Sequence, residues 1–521
     1  MQQNIDSIHK LCEICGKDDI CNTALSELRI AYGYGSRYDG ETLSLTICGE
    51  CADMISEFIQ NGGITLMITN KETVKIIDAP CGYGKTSWAI QQINNNPEKS
   101  YIYCTPFLDE IARIRQNCGH YKRFKEPLPY TGTKIDSFNE LLSKRENIAV
   151  THTTFLNATE ETMELIKMAE YTLIIDEALD VVTDFNKVQT VENTPRQSTT
   201  KGDIKMLLDN NIIQIEKNNL VKWCGYNYGE ECKFSEVQRF AKLGRLYCID
   251  NSFMLTVFPH EIFECFKEVY ILTYLFGGSI FKYYLDMFNI QYELKSVSNT
   301  DGEYSIVDYN KCLDNAFREK CKKLVHICNN KEMNNYKGNA LSKTWYIGSK
   351  RDERLKKLKS NLGNYFRRCL KGARASNGDI MWTCPKDYKD KVKGAGYIFS
   401  RSLSAKDRQL PKDKLENLEK ELSCFVPCNS KATNIYRNRW ALAYCVNMHF
   451  NPMIRKFFTD NNSERKENGL TEILPDENLF ALSCLIQWIF RSRIRDGKPI
   501  EIYIPSTRMR TLFTDWMNCE I

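Results

Sequence analysis

The chain has 521 residues, 42% of them apolar and 26% charged, with a net charge of +5. That length exceeds one hydrophobic core and implies two to four domains of ordinary globular composition. The small net charge means that any affinity for a polyanion must come from local clusters, and no apolar window is long enough to predict a transmembrane span.

The first residues, Met1 to Asp6, lack the basic-then-apolar pattern of a signal peptide. Twenty-two cysteines in such a chain point to reduced thiols and a metal, not disulfides, and to the cytoplasm. Residues 1–62 carry Cys12-Glu13-Ile14-Cys15 and, after a 32-residue gap, Cys48-Gly49-Glu50-Cys51. Two such knuckles can close a tetrahedral thiolate site around Zn²⁺, so a zinc-finger domain is expected there. The gap is long and requires a loop or hairpin between the knuckles, with Gly33, Gly35 and Gly40 available for it. Cys21 is a spare that could replace one ligand.

Val74, Ile76 and Ile77 read as a buried strand. Ala79-Pro80-Cys81-Gly82-Tyr83-Gly84-Lys85-Thr86-Ser87 follows, and Trp88, Ala89 and Ile93 then fall at helical spacing. Strand, glycine turn and helix in this order make a phosphate-binding loop. The glycines let backbone amides turn inward, and the helix N-terminus adds its positive dipole end. Lys85 would reach the β- and γ-phosphates of ATP, and the Thr86 hydroxyl would hold Mg²⁺. The pattern opens with Ala79 where the usual motif has glycine.

Residues 101–106 form the next expected strand, ending in Thr105-Pro106 before a helix. A further strand ends in Thr151-His152-Thr153-Thr154. Hydroxyls at strand ends can bind backbone phosphates of a nucleic acid or cap the following helix, and the sequence leaves both open. Leu173-Ile174-Ile175 then reads as a strand buried on both faces, with Asp176-Glu177 at its end. In a phosphate-loop fold that position faces the nucleotide. Asp176 would bind Mg²⁺ through water, and Glu177 would orient and deprotonate the attacking water.

Residues 184–262 break the rhythm and read as an insertion. Leu272-Thr273 ends the strand that resumes it. Beyond about residue 291 a second α/β unit is expected, with strands at 304–307 and 343–347 and a helix over 435–450 opened by Asn429 to Asn434. Near the C-terminus an apolar helix over 482–490 is expected to run on through Arg491, Arg493 and Arg495. Gln487, Arg491 and Arg495 would then share one helical face. A planar, permanent cation there suits charge spread over a γ-phosphoryl group, whereas Arg493 would face away, toward nucleic acid or solvent.

Taken together, Ala79 to Thr86, Asp176-Glu177, Leu272-Thr273, Asn429 to Asn434 and Gln487 to Arg495 resemble the motifs of superfamily-2 (DEAD/DEAH-box-like) helicases. The likeness runs from about residue 70 to the end and is greatest to helicase-like proteins of tailed bacteriophages. It implies an α/β protein with two tandem RecA-like domains, residues 68–290 and 291–521, with ATP between them and DNA across the top. In that frame Lys85, Glu177, Gln487, Arg491 and Arg495 are catalytic, and Thr105, Pro106, Thr151, Thr153, Thr433 and Arg493 contact nucleic acid. Asp-Glu-Ala-Leu stands where DEAD-box proteins have Asp-Glu-Ala-Asp, which turns the reading from RNA toward DNA. The expected activity is ATP-dependent unwinding or translocation of DNA in phage replication or recombination, with other replication proteins meeting the zinc finger and no membrane contact. A phage packaging ATPase, or a zinc-containing replication-initiation factor using ATP as a switch, are the alternatives.

Overall fold

The computed structural model describes residues 26–31, 42–47, 73–118, 123–128, 132–187, 198–227, 229, 232–348, 353–371, 374–428 and 434–521. The chain divides into two units, residues 1–71 and 72–521. In the first, β1 (Ser26–Ala31) and β2 (Thr42–Ile47) pair antiparallel, with Leu28 opposite Leu45. This is the hairpin that the long gap between the cysteine pairs requires. Cys12, Cys15, Cys48 and Cys51, and with them the expected zinc site, lie outside the described residues.

The second unit contains a seven-stranded sheet. Its strands are β3 (Val74–Asp78), β4 (Tyr101–Thr105), β5 (Ile148–Thr151), β6 (Thr172–Asp176), β12 (Glu268–Thr273), β13 (Tyr292–Thr300) and β14 (Glu303–Asp308). They lie in the order β14-β13-β3-β12-β6-β4-β5, parallel except for the antiparallel edge strand β14. The central strands are apolar without alternation because helices cover both faces. Ile77, Tyr103 and Ile174 pack with Trp88 and Ile93 of α1 (Lys85–Asn95) and Ile111 and Ile114 of α2 (Leu108–Asn117), while Ile76, Cys104 and Ile175 face a second cluster around Phe138 and Phe281.

Between β6 and β12 the chain makes a small separate body. β7 (Val182–Asp184), β10 (Leu246–Ile249) and β11 (Phe253–Val257) form an antiparallel sheet, and β8 (Ile213–Ile215) pairs with β9 (Val221–Trp223). Phe185, Ile204, Leu207, Val237 and Leu246 give it a core of its own, as expected of an insertion.

The second sheet is fully parallel, in the order β15-β18-β17-β16: β15 (Val325–Ile327), β16 (Ile380–Thr383), β17 (Ala441–Tyr444) and β18 (Ile500–Tyr503). Its helices include α3 (Lys311–Leu324), α4 (Glu353–Asn364), α6 (Glu477–Ile489) and α7 (Thr507–Met517). Helix α5 (Pro452–Thr459) returns to the first body, where Ile454, Phe457 and Phe458 join its core.

Several expected elements change place or type. β13 and β14 follow residue 291 yet extend the first sheet, and the Gln91 amide group exchanges two hydrogen bonds with the Tyr304 backbone, at 3.3 and 3.1 Å. Residues 343–348 are helical, because the Ser342 hydroxyl accepts from the Trp345 amide and only Tyr346 is buried. The helix expected over 435–450 is instead strand β17, since Ala441 to Tyr444 are buried on both faces between β16 and β18. A short apolar run cannot by periodicity distinguish a buried strand from a helix.

Asp78 ends β3 in the interior, where its Oδ2 accepts from the Phe276 amide at 3.1 Å. Burial pushes its carboxyl up to about 6, against the partly compensating backbone bonds and Lys85. A raised native value means that the folded state holds this proton more tightly than the unfolded chain, so stability falls as pH rises from about 4 through 6. The full cost above that window is roughly 2–3 kcal/mol. Asp78→Asn keeps an acceptor and removes the charge. Its unfolding midpoint should exceed that of the wild type at neutral pH, and the difference should vanish near pH 4; a pH-independent difference in denaturation curves would exclude this account.

Candidate active site

The end of β3 leads directly into the glycine turn expected to bind phosphate. The Ala79 amide donates to the Thr273 carbonyl at 3.1 Å, which extends the β3–β12 pairing by one step. Gly82 and Gly84 have φ of +87° and +89°, a region that side chains disfavour. At Gly84 a Cβ would also lie 2.1 Å from the Tyr304 ring, so both conformation and space demand glycine. Helix α1 starts at Lys85 without a side-chain cap, leaving its first amides for an anion. The Lys85 ammonium donates to the carbonyls of Ala79 and Pro80, the latter at 3.1 Å. Tyr83 turns away and sets its ring edge-on to Phe317.

Asp176 closes β6 opposite this loop. The Tyr103 hydroxyl donates to its Oδ2 at 3.0 Å. Burial pushes the Asp176 carboxyl up to about 6; the Glu110 charge adds to this, and the Tyr103 bond, Lys85 and Arg113 oppose it. His152 Nε2 lies 2.9 Å from the Asp176 carbonyl and holds the main chain there. Glu177 adopts φ +63° and its amide donates to the Leu272 carbonyl at 2.9 Å. A left-handed non-glycine residue costs about 1–3 kcal/mol, a strain that concentrates at functional sites.

From the second sheet come Gln487, Arg491 and Arg495. Helix α6 stops at Ile489, the Ser492 hydroxyl donates to the Ile489 carbonyl at 2.7 Å, and Arg495 sits in a separate short 3₁₀ turn, Arg493–Asp496. The three residues therefore share no single helical face. The break in the helix nonetheless brings all three to the wall of one cleft. Arg491 is buried; desolvation lowers its pKa and the charge of Glu177 opposes that.

The cleft has a volume of about 270 Å³ and is lined by Cys81, Gly82, Gly84, Lys85, Thr86 and Ser87 from the loop. Glu110 and Arg113 come from α2, Asp176, Glu177 and Thr273 from the other strand ends, and Gln487, Arg491 and Arg495 from the second sheet and the chain beyond α6. Sequence reasoning missed Tyr103, His152, Glu110 and Arg113. The last two form an i,i+3 pair at 3.3 Å in the first turns of α2, a spacing that could have marked them. Tyr103 carries no such signal, because every residue of β4 is buried.

The residues expected to touch nucleic acid do not converge. Thr105 is fully buried and its hydroxyl accepts from the Phe107 amide at 3.4 Å, so it cannot reach a polymer. Pro106 beside it is half-buried. Thr151 caps the turn His152–Phe155 by accepting from the Thr154 amide, the second of its two readings, while Thr153 is exposed. Thr433 lies outside the described residues. Arg493 points away from the cleft, as expected, with its guanidinium over the Trp440 ring at 5.3 Å and its Nε donating to the Pro499 carbonyl at 2.6 Å.

Lys85, Arg113, Arg491 and Arg495 match the charge of a nucleoside triphosphate, and the donor set of Thr86, Asp176 and Glu177 fits Mg²⁺. Among the described residues no group of three or more His, Cys, Asp or Glu could hold a metal alone, so a cation here would share phosphate and water oxygens. No helix among the described residues is long and apolar enough to cross a membrane.

Comparison with known proteins divides the chain along the same lines. Residues 319–517 match a family model described as the YonV C-terminal Rossmann-like domain, which spans most of the second sheet and its helices. Residues 197–256 match the YonV middle domain, within the insertion. Among solved structures, one titled XPD_APO is 14% identical with a TM-score of 0.48, covering 90% of this chain and 98% of that one. A structure titled XPD_Helicase is 11% identical with a TM-score of 0.46, covering 90% and 97%. At such scores these likenesses carry no functional weight. The SPbeta prophage-derived uncharacterized protein YonV of Bacillus subtilis (strain 168) is 35% identical over 461 residues, covering 86% of this chain and 99% of that protein. By that match the chain belongs to the YonV family.

Proposed function

We propose that the protein is an ATP-dependent DNA helicase or translocase of superfamily-2 type, built on two RecA-like bodies and serving phage replication or recombination. The observation that carries this reading is one cleft that joins a phosphate loop, a paired Asp-Glu at an adjacent strand end and two arginines from a second parallel sheet. A nucleotide-binding switch needs the first of these. Hydrolysis needs all three, because the water must be oriented and the charge on the transferred group stabilised.

In this reading Lys85 leaves its loop carbonyls to meet the β- and γ-phosphates, while the first amides of α1 hold the oxygens between them. Bound Mg²⁺ would neutralise phosphate charge, held by the Thr86 hydroxyl and, through water, by Asp176, whose carboxylate Tyr103 orients. Glu177, set by its left-handed backbone, orients the attacking water and takes its proton. Arg491 and Arg495 stabilise the leaving phosphates, with Gln487 beside them. Burial strengthens these charges, since water screens them little. The prophage origin in the name of the Bacillus protein agrees with a phage role.

Lys85→Ala should abolish ATP hydrolysis, and Glu177→Gln should retain nucleotide binding while stopping turnover. A steady-state assay beside equilibrium binding of a labelled nucleotide separates the two, with single-stranded DNA, duplex DNA and RNA as activators. Near-normal turnover by Glu177→Gln would remove that residue from the chemistry.

Arg491→Ala and Arg495→Ala should each lower turnover by about 10³-fold or more, with much smaller changes in ATP affinity, as for a lost arginine finger. Arg493→Ala should leave turnover nearly intact and weaken DNA binding. Dependence of turnover on Arg493 instead would reverse the assignment.

We also propose a Zn²⁺ site at Cys12, Cys15, Cys48 and Cys51, resting on their spacing alone and serving a partner such as another replication protein. Metal analysis should find one zinc per chain, lost in Cys48→Ser/Cys51→Ser with the ATPase retained. Unchanged zinc content in that variant would move the site elsewhere.

A further inference from the structure

The strongest concentration of positive charge in the sequence is in residues 343–374, none of whose described residues lines the cleft. This stretch has eleven Lys or Arg against two Asp or Glu, a net of +9 in a chain whose total is +5, so everything else sums to a net negative charge. Its centre is α4, which buries Leu355, Leu358 and Leu362 and exposes Arg354, Lys356, Lys357 and Lys359. The helix continues into a π-helical turn, Tyr365–Cys369, that buries Tyr365 and Phe366 and exposes Arg367 and Arg368. Lys371 and Arg374 extend the exposed row.

The acid on α4, Glu353, pairs with Lys356 at 2.5 Å. Lys357, Lys359, Arg368 and Lys371 have no carboxylate within ion-pair distance among the described residues. Packing below anchors the backbone that carries the row, since the Tyr365 ring stacks on Tyr503 of β18 at 5.3 Å and the Lys371 amide donates to the Glu501 carboxylate at 2.7 Å. Ala443 is in register with Tyr503, whereas Tyr444, on the opposite face, meets Trp488 of α6. The basic row therefore covers the face of the second sheet turned away from α6 and the nucleotide cleft. Lys371 also lines, with Arg493 and Trp440, a cavity of about 400 Å³ at the edge of that face.

We propose that this outer face is a docking surface for the phosphodiester backbone of nucleic acid, separate from the nucleotide cleft. Charge complementarity selects the occupant. Ile347 is the single large apolar side chain exposed among the described residues of 343–374, and none is exposed from 353 onward, so the face lacks the apolar centre of a protein interface and the anchors of a membrane-bound helix. The twelve residues of α4 span about 18 Å, or about five phosphate steps of one strand. On the translocase reading, on which its role rests, this face would hold a strand beside the motor; the binding itself needs no nucleotide.

The test uses the full chain carrying Lys357→Glu/Lys359→Glu/Arg368→Glu, with the matching Gln triple as a milder variant should charge reversal impair folding. Fluorescence anisotropy with labelled single-stranded and duplex DNA, at salt from about 50 to 200 mM, should show at least a tenfold loss of affinity at low salt. The slope of log affinity against log salt should flatten by about two to three for three lost phosphate contacts. Loss on only one of the two DNAs identifies the strand form that docks. ATP hydrolysis without DNA should be unchanged, and Lys85→Ala should still bind DNA, so failure of the ATPase reading and failure of this one are separable. Affinity and salt slope unchanged in the folded Gln triple, or no DNA binding by the wild type, would overturn the proposal.

Discussion

The candidate active site depends on the docking of α6 against the turn that follows β12. Neither sheet alone carries a complete set of groups: loop and carboxylates belong to the first, arginines to the second. At the contact, a Cβ on Gly278 would lie 2.6 Å from the Leu479 backbone, so a side chain there would push α6 outward. Phe450 and Phe480 meet at 4.8 Å near the same junction, and the Tyr283 hydroxyl accepts at 2.8 Å from the amide of Asp476, the residue that caps α6. Apolar packing of this kind is dense and has discrete arrangements. A shift of the helix would move Arg491 and Arg495 together relative to the phosphate loop.

A buried polar seam runs beside that contact. The Tyr274 hydroxyl donates to Asp314 of α3 at 2.6 Å, and Asp314 pairs with Arg318, whose guanidinium lies over Trp516. Tyr274 follows Thr273 at the floor of the cleft, so the strand end that lines the cleft is tied directly to the second body. Breaking one member of such a buried pair leaves an uncompensated charge and costs far more than the pair contributes. The seam therefore specifies one relative position of the bodies more than it adds stability.

Within the cleft, burial works against the isolated groups. It raises the carboxyl of Asp176 and depresses the Arg491 guanidinium. Each would be relieved by a charge of the opposite sign: cations beside Asp176, phosphates beside Arg491. A ligand carrying both meets an environment already arranged for it, and the cost of that arrangement is met in folding, not at the chemical step.

The glycine turn between β3 and α1, the Asp-Glu pair at the end of β6 and the change of rhythm between β6 and β12 were legible in the sequence because each is local. A glycine turn between a strand and a helix, or two carboxylates at the end of an apolar run, needs only neighbours in the chain to define its conformation. The basic composition of residues 343–374 is equally local, yet the face it occupies depends on the register of β17 and β18. Other features required the tertiary structure. Strand β17 reads as a helix until β16 and β18 bury both its faces, and β13 and β14 read as a second domain until they pair beside β3. Gln487, Arg491 and Arg495 line one wall, but not by the helical periodicity expected of them: α6 ends at Ile489, and the turns beyond it bring the two arginines there. Tyr103 and His152 had no signature at all, because a buried polar side chain gains its role only from what lies across the sheet, and that distance is not written in spacing along the chain.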